Sequence, residues 1–79
     1  MLKEKKVYTV ITFPNTTAAL AMEESCKADG VAGELIPVPN SITAGCGFAW
    51  QAAEEEKDNL VLYITGKGLK FSEIYTIEL

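Results

Sequence analysis

Apolar residues recur along the chain in two rhythms, and each change of rhythm marks a boundary between elements. Lys6 to Phe13, KVYTVITF, is crowded with β-branched and aromatic residues and predicts a strand buried on both faces. Pro14 ends it, and Asn15 or Thr16 can cap a helix whose body, Ala18 to Lys27, consists of good helix formers. Ala19, Met22 and Cys26 fall at i, i+3 and i+7, so they share a face and Cys26 is expected in the core. Gly30 suits the left-handed cap that closes such a helix. Gly33 to Pro39 then reads as a strand in which two prolines stand two residues apart. Proline cannot donate to a ladder, so this strand belongs at a sheet edge with Pro37 and Pro39 turned away from its neighbour. Asn40 to Gly45 follows as a hairpin loop. Cys46 to Ala52 is the returning strand, its period of two placing Phe48 and Trp50 on the side of Cys46.

Residues 53–65 fit both rhythms. As a helix, Lys57, Leu60, Val61 and Ile64 make a stripe, with acidic residues near its start and Lys67 near its end, as the helix dipole favours. As a strand, Leu60 to Thr65 would form a hairpin with residues 69–79 around Gly66-Lys67-Gly68. Phe71 to Leu79 closes the chain as a strand in either case. The glutamate run reads as a solvated helix start and not as a metal site. Gly66-Lys67-Gly68 lacks the strand-to-helix context and the Lys-Ser/Thr ending of a phosphate loop.

Composition bounds what this arrangement can do. Seventy-nine residues suit one small domain, 1–79, and an apolar content of 48% makes a packed core credible. A net charge of −4 argues against a nucleic-acid surface, since Glu4 interrupts the short basic start of Lys3, Lys5 and Lys6. No run is long enough to span a bilayer and the N-terminus lacks a secretory signal, so a cytoplasmic protein with free thiols, and no membrane partner, is expected. The absence of histidine has the sharpest consequence. It removes Ser-His-Asp and Cys-His catalysis and every histidine-bearing zinc site, leaving thiol, carboxylate, hydroxyl, lysine and backbone groups to carry any chemistry. No cofactor and no metal is implied.

Among those groups Cys46 stands apart, because it lies between Gly45 and Gly47 and not on a periodic apolar face. Glycine at both sides removes Cβ groups from around the sulfur and permits a turn that presents it outward. The bland alternative is a tight strand entry with an inert thiol.

The run Ile36-Pro37-Val38-Pro39, then Ile42, then Ala44-Gly45-Cys46-Gly47-Phe48-Ala49-Trp50 resembles the signature of a family of small bacterial domains described as selenium/sulfur carrier-like proteins. The opening strand ending in Phe13, the Thr17-Ala18 helix start with Ala21-Met22-Glu23, and the Gly30-Val31-Ala32-Gly33 link extend the likeness over nearly the whole chain. Members usually carry a basic residue where this chain has Asn40, and often serine where it has Thr43. The resemblance favours a helix for residues 53–65. The order is then βαββαβ, which predicts a ferredoxin-like α+β sandwich with two helices on one face of an antiparallel sheet. Its spatial strand order, fourth, first, third, second, independently assigns the proline-bearing strand to an edge.

In that topology the third strand starts beside the end of the first, where the first helix begins. Cys46 would thus sit near the helix terminus formed by Asn15, Thr16 and Thr17, whose dipole and open N–H groups lower a thiol pKa, with Lys67 and Lys70 arriving at the same end. Three readings follow. In the first, which the resemblance implies, the protein is a carrier more than an enzyme: Cys46 accepts sulfur or selenium as a persulfide or perselenide and exchanges it with donor and acceptor proteins. In the second, a non-catalytic interaction or small-ligand module, Cys46 is incidental and the edge strand with the Phe48/Trp50 face forms a partner or homodimer surface. In the third, a thiol redox enzyme, Cys26 resolves Cys46.

Overall fold

The computed structural model describes residues 6–42 and 47–79. The elements are β1 (Val7–Thr12), α1 (Thr16–Asp29), β2 (Glu34–Pro37), β3 (Phe48–Ala53), a single 3-10 turn (Glu54–Glu56), α2 (Lys57–Lys67) and β4 (Ile74–Glu78). The strands form one antiparallel sheet in the order β2-β3-β1-β4, giving the expected ferredoxin-like α+β fold. β1 and β2 are thus parallel to each other across β3, and β3 and β4 are parallel across β1. Parallel strands cannot be joined by a tight hairpin, so each pair needs a crossover, supplied here by α1 and α2.

That requirement settles residues 53–65 in favour of the helix and excludes the hairpin around Gly66-Lys67-Gly68. Although LVLYIT has the composition of a strand, Leu60 and Ile64, one turn apart, are almost completely buried. Gly68 closes the helix at φ 67°, a left-handed position that glycine reaches without steric cost. The stripe is rotated from the sequence expectation, since Val61 is 37% exposed and Tyr63 packs against the core in its place.

The sheet has two differently packed faces. On the helix side, Ile11, Phe13, Trp50 and Ala52 meet Ala18, Ala19, Met22 and Cys26 of α1 and Leu60 and Ile64 of α2. The face shared by Ala19, Met22 and Cys26 is therefore the buried one, as their spacing indicates. On the other side Val10 and Ala49 are covered by Ile42, which arrives from the loop after β2, with Tyr8, Ile36, Val38, Tyr75 and Ile77 around them. β1 is accordingly sealed on both faces from Thr9 onward, whereas Val7 at its start is 39% exposed.

Three boundaries are shorter than the residue pattern suggests. β2 covers only Glu34–Pro37, β3 begins at Phe48 and β4 at Ile74. At β2 the edge assignment holds: Val38 donates to the Gly47 carbonyl at 3.0 Å, so by alternation Pro37 turns its missing donor away from β3. At β4 the segment before Ile74 is held without strand geometry. Ser72 donates to the Thr12 carbonyl at 2.7 Å and Glu73 to Thr12 Oγ1 at 3.1 Å.

Candidate functional site

Asn15 is the cap of α1, not Thr16. Its backbone is extended (φ −160°, ψ 170°), and its side-chain oxygen accepts from Ala18 N–H at 2.8 Å. Ala19 N–H reaches the Asn15 carbonyl at 3.3 Å. The N–H groups of Thr16 and Thr17 have no partner among the described residues, so this terminus retains the open, positively polarised donors of a helix start.

A groove of about 480 Å³ opens beside this terminus. Asn15, Thr17, Ala18 and Ala21 form its α1 wall, and Gly68, Leu69 and Lys70 form the wall that follows α2. Lys70 thus meets the helix terminus as the sequence suggests. Lys67 does not, which corrects the expectation: its ammonium lies 2.9 Å from the Asp29 carboxylate, at the opposite end of α1. The lysine is drawn there by an acceptor that Tyr63 also contacts, its hydroxyl donating to Asp29 at 2.7 Å, and Lys67 lies over the Tyr63 ring at 5.9 Å. Tyr63 and Lys67 on α2 face Ser25 and Asp29 on α1, each pair one helical turn apart. The sequence carries these two i, i+4 pairs, but nothing local says that they face each other.

β1 and β3 pair so that Ala49 lies opposite Thr12 and Trp50 opposite Ile11. The start of β3 therefore stands at the sheet end where the chain turns through Pro14 into α1. Gly47, immediately before β3, has open space where a Cβ would stand, so glycine is not required there by packing beyond its chain neighbours. Thr43, Gly45 and Cys46 lie outside the described residues.

The remaining candidates separate clearly. Cys26 is 1% exposed, and burial, reinforced by the Asp29 carboxylate, pushes its thiol up to about 11. A thiol held protonated at neutral pH is a poor resolving nucleophile, so the redox reading loses its second cysteine. Trp50 is 2% exposed and donates from Nε1 to the Ala32 carbonyl at 3.2 Å, a core residue with its polar atom satisfied. Of the Phe48/Trp50 pair, the tryptophan is therefore taken up by the core, whereas Phe48 is 39% exposed. Among the described residues, no group of three or more Cys, Asp or Glu side chains is placed to hold a metal ion. No helix among them is long and apolar enough to cross a membrane.

The family model described as "Putative Se/S carrier protein-like" matches residues 8–76, from β1 to the middle of β4. No curated protein and no solved structure matches the chain.

Proposed function

Since the chain belongs to the Se/S carrier protein-like family, we propose that it carries sulfur or selenium as a single atom bound to Cys46. The Cys46 thiolate attacks the outer chalcogen of a donor persulfide or perselenide. A sulfur–sulfur or sulfur–selenium bond forms at Cys46 as the donor's bond to that atom breaks, and the donor leaves as a thiolate. Nothing is oxidised or reduced overall, so no cofactor is needed. An acceptor protein removes the atom by the reverse exchange.

One observation carries this reading. The antiparallel register of β1 and β3 sets the residue after Gly47 at the sheet end where Asn15 caps α1. A thiolate near the open N–H groups of Thr16 and Thr17 and the ammonium of Lys70 is stabilised against protonation, which raises the fraction available to attack. Asn15, Thr16 and Thr17 act as positioning and electrostatic support, and glycine at positions 45 and 47 adds no side chain next to Cys46 in the sequence.

The test is intact mass after exposure of the purified protein to glutathione persulfide. The expected product gains one sulfur atom per chain, loses it to dithiothreitol, and does not form in Cys46→Ser. The same adduct on Cys46→Ser, or none on the native protein, removes the carrier reading. Titration of Cys46 separately tests the helix support. A pKa below the roughly 8.5 of a free cysteine is expected, and a value at or above it excludes that support.

A further inference from the structure

Two strands close the sheet, and their outer edges are built differently. β2 is four residues long and turns Pro37 outward, so a strand approaching that edge meets a missing donor. β4 has five residues, IYTIE, with neither proline nor glycine. Lys6 and Leu79 exchange both backbone hydrogen bonds, at 3.3 and 2.9 Å, and Thr12 N–H donates to the Glu73 carbonyl at 2.9 Å. By alternation Tyr75 and Ile77 use their backbone groups on β1, while Ile74, Thr76 and Glu78 turn theirs outward. Those outward groups have no partner among the described residues.

We infer that β4 pairs with the β4 of a second copy of this chain, antiparallel and centred on Thr76, joining two sheets into one of eight strands. The strand is complementary to its own reverse. In this register Thr76 faces Thr76, Tyr75 faces Ile77 twice, and Ile74 faces Glu78 twice, so all five residues pair. Tyr75 and Ile77 belong to the apolar cluster on the helix-free face, where both are only partly buried. Two tyrosine–isoleucine pairs therefore continue that cluster across the seam, the kind of aromatic and β-branched cross-strand contact that stabilises a sheet.

Charge selects the same arrangement. The chain is acidic overall, and carboxylates flank the strand at Glu73 and Glu78. Antiparallel pairing sets Glu78 against Ile74 and Glu73 against Leu79, so no two side-chain carboxylates stand directly opposite. An in-register parallel pairing would place each glutamate beside its own copy. Because the two-fold axis is perpendicular to the sheet, the α1 N-terminal ends lie at opposite extremes of the dimer. The inference is independent of any chemistry at Cys46.

The test uses a Cys46→Ser background, so that this thiol cannot link two copies. Sedimentation from micromolar to millimolar concentration is expected to show a reversible dimer. Thr76→Pro removes an outward donor without touching the β1 ladder, and should weaken the dimer by at least an order of magnitude with an unchanged far-ultraviolet spectrum. Thr76→Cys places two thiols on the proposed axis, where hydrogen-bonded antiparallel pairs have Cα atoms about 5.5 Å apart, inside the range for a disulfide. It should cross-link at least an order of magnitude faster than the exposed control Thr65→Cys. A monomer at every concentration, a dimer indifferent to folded Thr76→Pro, or no advantage of position 76 over position 65 overturns the inference. If Thr76→Pro does not fold, the cross-linking comparison decides alone.

Discussion

At the scale of single residues, the tightest constraint is at Gly33. Its φ of 121° is a conformation that side chains rarely adopt, and a Cβ there would meet the Trp50 indole and stand 2.7 Å from the Gln51 carbonyl. The indole lies over the glycine because Trp50 donates to the adjacent Ala32 carbonyl. Gly33→Ala is therefore expected to destabilise the protein by roughly 2–4 kcal/mol, combining backbone strain with overpacking. Equilibrium urea unfolding followed by Trp50 fluorescence measures this, and an unchanged midpoint would count against it. Gly33 is read from the sequence as the first residue of a strand. Its contact with Trp50, 17 residues later, is not, because β2–β3 pairing creates it. Cys26 shows the opposite case: spacing on α1 already assigns it inward, and burial accounts for its inertness.

At the scale of elements, the two helices are tied by Asp29, Tyr63, Ser25 and Lys67. Hydrogen bonds from Tyr63 and then Lys67 hold the Asp29 carboxyl below its usual range, while desolvation keeps Tyr63 protonated and able to donate. The sign of the resulting pH dependence follows from the depressed carboxyl: its contribution is complete above the unfolded-state pKa and is lost as pH falls through the lower folded-state value. Asp29→Asn should therefore lower the urea midpoint at neutral pH, and the gap from the native protein should close as the acid range is entered. Parallel melts at neutral pH and below pH ~3 check this, and a gap that widens in acid would contradict it. The same pairing explains why Lys67 lies away from the α1 N-terminus. Chain position puts it at the end of α2, but its reach and its acceptor carry the charge back to the far end of α1.

At the scale of the molecule, the helix-free side of the sandwich is not bare. Ile42, 8% exposed, folds over Val10 and Ala49 on the face without helices. Ile42→Ala is expected to cost roughly 2–4 kcal/mol, the range for truncating a buried aliphatic residue. Leu62→Ala is the contrast, since Leu62 is 72% exposed and its loss should stay within about 0.5 kcal/mol. Chemical denaturation of both variants makes the comparison, and equal effects would mean that Ile42 does not seal that face. Ile42 stands four residues before Cys46 in the sequence, so the chain is tied to the core up to that point.

The sequence alone determined the strands and helices whose signals are local: the β-branched run of β1, the Gly30 end of α1, and the outward Pro37 of β2. These depend on backbone sterics and on periodicity within a few residues, which neighbours cannot easily override. Only the tertiary structure decided that LVLYIT is helical, that Trp50 is core and that Lys67 serves Asp29. Each of those outcomes is set by which distant surface a residue is brought against, and burial and ion pairing across the fold outweigh the weak preference of a short segment taken by itself.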